Sequence, residues 1–459
     1  MVNAEEILLV AAPAGNEPAI ALRLVGPAAL KKQAPNIRRQ AEAMGFDAAP
    51  SNLLPLLAAD GSLQAFLVGA PPPDADAFAL GAISSKLPPG IYAFAETPPN
   101  AHLVALGWAL ELYRYDPFRA APPKAVKLVL PKGVVAKAVC AQANATFSVR
   151  DMVNAPANLF GPDELEAAAA KLAKTHNAKF SVIRGAALQK GFPLIHAVGA
   201  ASPRRPRLIE FTWGKPRHPK VTLVGKGVVF DTGGLDIKPS PSMLLMKKDM
   251  GGAANVLGLA GLIMSAKLPV RLRVLIPAVE NAIAGDAFRP GDVFKSRKGL
   301  TVEIGNTDAE GRLILADALA YADAEAPDIL IDMATLTGAA RVALGPDLPP
   351  FYTDDDTLAA NLASQALSVN DPLWRLPLWR PYYAMIESAV ADINNAGAGG
   401  FAGSIGAALF LRRFVEKART YVHFDIFAWT PNPKPGRPKG GEAQGIRALF
   451  AMLAKQFAD

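Results

Sequence analysis

The chain has 459 residues and a single cysteine, Cys140. No intrachain disulfide is possible, and structural zinc sites built on several thiolates are excluded. A reducing compartment is the natural setting, so a cytoplasmic location is expected. Histidine is scarce as well. The five residues (His102, His176, His196, His218 and His423) are scattered and form no His-Glu-x-x-His pattern. Any metal must then be held mainly by oxygen. Long apolar runs are also missing: no stretch approaches the roughly 20 uninterrupted residues a membrane-spanning helix needs. The amino terminus, Met1 to Glu6, carries acid where a secretory signal carries base, and the apolar run from Ile7 to Ala12 is short. A soluble protein without a membrane partner is expected.

Net charge is +7, but the basic residues are dispersed. The tightest groups, Arg204-Arg205-Pro206-Arg207 and Lys434 to Lys439, fall in proline-rich stretches. A specific nucleic-acid interface is usually marked by clustered charge, so none is expected here.

Half the residues are hydrophobic (51%) and 19% are charged, the balance of a folded globular protein. This length exceeds one ordinary core, so two or three domains are expected. Punctuation by Asn154-Ala155-Pro156-Ala157-Asn158 divides the chain into an N-terminal domain over 1–133, a connecting helix over 134–153 and a larger domain over 154–459. In the larger part, strand-like runs at Lys179–Ile183, Leu208–Trp213, Val221–Phe230, Arg271–Ile276, Ile329–Ala334 and Tyr421–Ile426 alternate with helical stretches. The helices are expected at Ala253–Met264, Leu313–Ala324, Ser404–Lys417 and Ala443–Ala454. This alternation predicts an α/β fold: a smaller α/β domain, then a larger one with a central mixed, mainly parallel sheet flanked by helices. Sites in such sheets form beyond the carboxyl ends of strands.

Three stretches carry candidate chemistry. In Asn306-Thr307-Asp308-Ala309-Glu310-Gly311-Arg312-Leu313, an extended backbone would aim Asp308 and Glu310 at one space, with Gly311 allowing a sharp turn and Arg312 offering a forked cation. Two carboxylates aimed together need a proton or cation between them. An exposed acidic turn with Arg312 as a surface pair remains the alternative. In Val224-Gly225-Lys226-Gly227 to Asp231, Lys226 and Asp231 sit on a strand that should be buried. They are read either as metal ligands or as an ion pair with each other. In Lys248-Asp249-Met250-Gly251-Gly252, Asp249 opens a helix, as ligand or as N-cap. Together Lys226, Asp231, Asp249, Asp308 and Glu310 make a plausible ligand set for two divalent cations. Mn2+, Mg2+ or Zn2+ suit such a set and support hydrolysis through an activated water. Lys238 and Arg312 remain free to stabilise an oxyanion or position the nucleophile.

These blocks resemble the leucyl (cytosol) aminopeptidase family. The likeness extends through Pro277-Ala278-Val279-Glu280-Asn281, Arg289-Pro290-Gly291-Asp292-Val293, Ala334-Thr335-Leu336-Thr337-Gly338 and Ala402-Gly403-Ser404. It covers about residues 150–459, while the first 130 residues carry none. The resemblance implies removal of one residue from the amino end of peptides, with the free amine coordinating one of two metals. It implies an exchangeable metal on Asp231, Asp308 and Glu310, and a tighter one on Lys226, Asp231, Asp249 and Glu310. Lys238 would polarise the scissile carbonyl, and Arg312 would hold a bicarbonate that shuttles the proton. Met246 with Thr335, Leu336, Thr337 and Gly338 would line an apolar, leucine-like pocket for the first side chain. A homohexamer, as a dimer of trimers, is also implied. Two departures lie outside the ligand set: the small Gly305, and a tail from Trp429 to Gly441 that would reshape access to the cavity. Another two-metal hydrolase, such as a phosphoesterase, would need the same carboxylates. An added DNA-binding role, as in some bacterial relatives, draws only on the excess of base.

Overall fold

The computed structural model describes residues 3–11, 19–118, 124–397 and 399–457. Met1, Val2 and Ala12, at the ends of the acidic start and of the first apolar run, lie outside them. The chain divides into two compact units: residues 1–147 with 432–439, and residues 148–431 with 440–459. The division falls inside the helix Ala136–Asn154.

In the first unit six strands run in the order Leu8–Leu9, Val126–Val129, Gly90–Phe94, Ile20–Val25, Leu63–Gly69 and Leu53–Leu57. All neighbours are parallel except the last pair. Helix Ala101–Glu111 packs into the core of this unit, buried at every residue from Val104 to Leu110. The tail returns to this unit: Gly436 N donates to Glu111 Oε2 (2.9 Å), and Arg437 pairs with Asp76 (3.0 Å).

The second unit is built on a nine-stranded sheet. Its strands are β1 (Lys179–Arg184), β2 (Arg207–Trp213), β3 (Lys220–Gly225), β4 (Gly227–Asp231), β5 (Arg271–Asn281), β6 (Ile329–Ala334), β7 (Pro350–Tyr352), β8 (Trp374–Arg375) and β9 (Thr420–Asp425). The order is β8-β7-β9-β6-β3-β5-β2-β1, with β4 continuing alongside β5. The centre, β9-β6-β3-β5, is parallel, and antiparallel pairs join it to both edges. Every residue of β6 is buried, as expected for a parallel strand covered on both faces. The helices α1 (Pro162–Thr175), α2 (Gly251–Ala266), α3 (Glu310–Asp323), α4 (Gly403–Arg412) and α5 (Ile446–Phe457) supply that cover. Among the described residues, Met246–Ala266 is the one helical stretch long and apolar enough to cross a membrane, but most of it is buried inside the protein. Its all-round apolarity is that of a core helix.

The strand expected over Val221–Phe230 is broken. β3 stops at Gly225, and Lys226 stands alone before β4 resumes on β5 with Gly227 opposite Ala278. Lys226 N still donates to Met333 O (3.0 Å). The break turns one side chain out of the sheet at its carboxyl end, and that side chain belongs to the site.

Candidate metal and active site

Lys226, Asp231, Lys238, Met246, Asp249, Asp308, Glu310, Arg312, Thr335, Leu336, Thr337 and Gly338 all line one cavity of about 350 Å3. It opens where β3, β4 and β6 end, the place at which parallel sheets expose loop side chains.

Each carboxylate is placed by its own local structure. Asp231 closes β4, opposite Asn281 at the end of β5. Its Oδ1 accepts from Asn281 Nδ2 and Gly233 N, both at 2.8 Å, and its Oδ2 lies 2.8 Å from Lys238 Nζ. Asp249 sits in the turn Met246–Met250, ahead of α2. It is not the N-cap: that position is Met250, with no side-chain cap bond. Instead its Oδ2 accepts from Lys226 Nζ at 2.6 Å and its Oδ1 from Thr335 Oγ1 at 3.0 Å. A buried carboxylate gains more from a buried ammonium than from a helix end.

Asp308 and Glu310 do share one space, but not as alternate residues of a strand. Asp308 lies in a turn, braced by Asn306 Oδ1 accepting from its N–H (2.7 Å), and Glu310 is the first residue of α3. One oxygen from each of Asp231, Asp308 and Glu310 lies within 4.8 Å of the others. Glu310 is 1% exposed, so the exposed acidic turn does not describe it.

Lys226 does not pair with Asp231. Its Nζ lies 2.6 Å from Asp249 Oδ2, 3.0 Å from Glu310 Oε1 and 2.9 Å from Thr335 O. Lys238 is the cation that bridges Asp231 and Asp308. Gly311 serves this packing rather than a turn: a Cβ there would lie 2.5 Å from Lys226 Cε. Gly252 likewise serves helix–strand approach, since its Cβ would lie 2.1 Å from Met333 O.

The electrostatics follow from burial and crowding. Burial, then the Asp231 charge, pushes Glu310 up to about 8. The same two causes push Asp308 up to about 6. Asp249 is held down at about 2: burial opposes ionisation, but Lys226 and Lys248 outweigh it. Burial also disfavours charge on Lys226 and Lys238, yet the surrounding carboxylates raise both above the ordinary lysine range. Burial lowers Arg312 to about 10. Its Nη1 donates to Asn395 O (2.6 Å), and its shielded Nε has no hydrogen-bond partner. Arg312 is therefore no surface pair.

This donor set fits divalent cations. Three converging carboxylate oxygens, a fourth carboxylate and a lysine that touches two of them form a hard, mainly oxygen environment.

Several residues at the site escaped the sequence reading. Asn281 orients Asp231. Asp425, at the end of β9, accepts from Leu336 N (3.1 Å), Thr337 N (3.0 Å), Thr337 Oγ1 (2.6 Å) and Ser404 Oγ (2.7 Å), and so fixes the pocket loop. The signal was a carboxylate closing an apolar strand, the same one that marked Asp231. Lys248, Arg341, Ile426 and Phe427 also line the cavity. The tail from Trp429 to Gly441 contributes none of the lining residues. At Gly305, the other departure, a Cβ would lie 2.4 Å from Asn394 Oδ1, so a larger residue there needs the Asn394 side chain to move.

Comparison with known proteins places this geometry in a group. The model of the cytosol aminopeptidase family, catalytic domain, matches residues 147–450. The model described as M17 aminopeptidase, N-terminal domain, matches residues 23–131, so the likeness reaches into the part where the motifs showed none. A probable cytosol aminopeptidase of Syntrophotalea carbinolica is 44% identical over 312 residues, covering 67% of this chain and 62% of that one. One of Chlorobium luteolum is 38% identical over 410 residues, covering 82% and 79%. The chain thus spans less than two thirds of the first relative's length and more of the second's. Among solved structures, the cytosol aminopeptidase from Coxiella burnetii superposes with a TM-score of 0.92 at 44% identity, covering 98% of this chain and 99% of that one. The bottromycin maturation enzyme BotP, in complex with Mn, gives 0.86 at 34% identity, covering 95% and 99%. With both halves of the sequence matched and the carboxylate–lysine cluster in place, the chain belongs to the cytosol aminopeptidase family.

Proposed function

We propose that the protein is a metal-dependent aminopeptidase that hydrolyses the first peptide bond of its substrates using two divalent ions. The observation that carries this reading is the convergence of Asp231, Asp308 and Glu310 beside the Lys226–Asp249 pair. Asp231, Asp308 and Glu310 would hold one ion, and Lys226, Asp231, Asp249 and Glu310 the other. Mn2+ is supported by the BotP complex, and Zn2+ and Mg2+ suit the same donors. When bound, such ions polarise a carbonyl and lower the pKa of water.

The chain's own residues do the rest. Asn281 and Gly233 hold Asp231 in one orientation through its Oδ1, which leaves Oδ2 toward the cluster. Lys238, largely buried and positively charged, presents hydrogen-bond donors where a scissile carbonyl oxygen gains charge. Arg312, which lines the cavity, would hold a small anion such as bicarbonate, a carrier for the proton that moves to the leaving amine. Met246, Leu336, Ile426 and Phe427 give the first side chain an apolar wall. Asp425 keeps the Thr335–Gly338 loop at that wall. A homohexamer, a dimer of trimers, completes the proposal and is read by light scattering. A cytoplasmic location is supported by the names of the relatives.

The test is release of p-nitroaniline from leucine p-nitroanilide by chelated protein, before and after Mn2+, Zn2+ or Mg2+ is restored, with Glu310→Ala alongside. Activity that returns with metal and is absent in the variant is expected. A folded, metal-loaded protein inert toward a panel of aminoacyl amides and dipeptides overturns the reading.

A further inference from the structure

The cavity holds more positive charge than its ligand cluster uses. Asp249 divides it: Oδ2 faces Lys226 and the cluster, while Oδ1 lies 3.3 Å from Lys248 Nζ on the other side. The Lys248 side chain is only 6% exposed, and its Nζ stands 5.6 Å from the centre of the Phe427 ring. Arg341 lies over the same ring, its guanidinium carbon 4.4 Å from the centre. Among the described residues, Arg341 has no carboxylate partner. Lys248 shares its carboxylate, Asp249, with Lys226. Buried or stacked cations without anions of their own are unfavourable unless something else meets them. An arginine set over an aromatic ring still has N–H groups to offer a carboxylate.

Met246 and Phe427 line this part of the cavity with the Thr335–Gly338 loop, the wall assigned above to the first side chain. The geometry points to a carboxylate-recognising end of that pocket. Lys248 and Arg341 receive the side-chain carboxylate of an N-terminal glutamate or aspartate, while its methylenes pack on Met246 and Phe427. The inference rests on the aminopeptidase reading and deepens it: an apolar wall ending in two cations accepts acidic first residues as well as leucine-like ones. A pocket lined only by apolar groups would reject a carboxylate because of its desolvation cost. This one compensates that cost at a fixed place.

The experiment compares glutamyl and leucyl p-nitroanilide on the metal-loaded protein. Neither substrate carries a C-terminal carboxylate, so the ratio of their kcat/KM values isolates the first side chain. Arg341→Met and Lys248→Met are each expected to lower the glutamyl-to-leucyl ratio about tenfold or more, the worth of a charge-assisted hydrogen bond. Arg341→Glu is expected to raise the ratio for lysyl over glutamyl substrate. A ratio unmoved by all three variants overturns the inference, as does a wild-type protein that cleaves the leucyl substrate but not the glutamyl one. If neither substrate is cleaved, the aminopeptidase reading fails instead. Titration calorimetry of free L-glutamate against L-leucine then reads the pocket without turnover: tighter glutamate binding that is lost in Arg341→Met supports the carboxylate end, and equal or weaker binding contradicts it.

Discussion

Lys226 lies so close to Gly311 that a Cβ on the glycine would stand 2.5 Å from the lysine Cε and 2.9 Å from its Nζ. Position 311, in the first turn of α3, therefore has to lack a side chain for the lysine to reach both Asp249 and Glu310. Gly311→Ala should leave the fold intact, because the residue is helical and alanine suits a helix. It should displace Lys226 and weaken metal binding by about 10–100-fold, the usual effect of disturbing what surrounds a metal ligand. Metal affinity by competition with a fluorescent chelator checks this. An alanine variant with wild-type affinity would show that Lys226 has no part in holding metal.

The raised carboxyls give a pH prediction with a definite sign. In the metal-free protein Glu310 titrates near 8 and Asp308 near 6, whereas both return to about 4 in an unfolded chain. Their protonated forms favour folding. That contribution is complete below about pH 4 and is lost as pH rises through 6 and then 8. Metal ligation needs both groups ionised, so stabilisation by metal grows over the same interval. The Tm of chelated protein should fall between pH 6 and 8, and the gain in Tm on adding Mn2+ should increase. The fall should be shallower in Glu310→Gln. An identical slope in wild type and variant would contradict the assignment.

Asp425 accepts four hydrogen bonds, three of them from Leu336 and Thr337. Asp425→Asn replaces one acceptor oxygen with a donor facing other donors, which should cost about 1–3 kcal/mol of stability. Loosening the pocket loop should raise KM more than it lowers kcat. Urea denaturation together with steady-state kinetics separates the two effects. Unchanged KM would mean that the loop needs no such anchor.

Gly252 of α2 approaches β6 closely enough that a Cβ would lie 2.1 Å from Met333 O. Backbone cannot yield as a flexible side chain does, so Gly252→Ala should destabilise the second unit by roughly 1–3 kcal/mol. Chemical denaturation measures it, and a variant as stable as wild type would show that α2 can shift at little cost.

The central strands were legible because parallel strands covered on both faces read as unbroken apolar runs, as in Ile329–Ala334. The ligand residues were legible because carboxylates and a lysine interrupt or end such runs. Their geometry was less so. The break at Lys226, the turn that carries Asp308 and the pairing of Lys226 with Asp249 depend on contacts between segments far apart in sequence. An acid ahead of a helix reads locally as a cap, and only the approach of Lys226 from β3 makes Asp249 something else. Lys248 and Arg341 were not singled out because nothing near either in sequence shows that both come to lie over the ring of Phe427.

The most direct test of the account is a metal titration. Mn2+ is added to chelated protein while bound metal and p-nitroaniline release from an aminoacyl anilide are followed together, for wild type and Asp249→Ala. No activity is expected without metal, with activity that saturates at about two equivalents per chain and a variant that loses one of the two. Activity that persists in metal-free protein, or that saturates with no metal bound at the cluster, would contradict it.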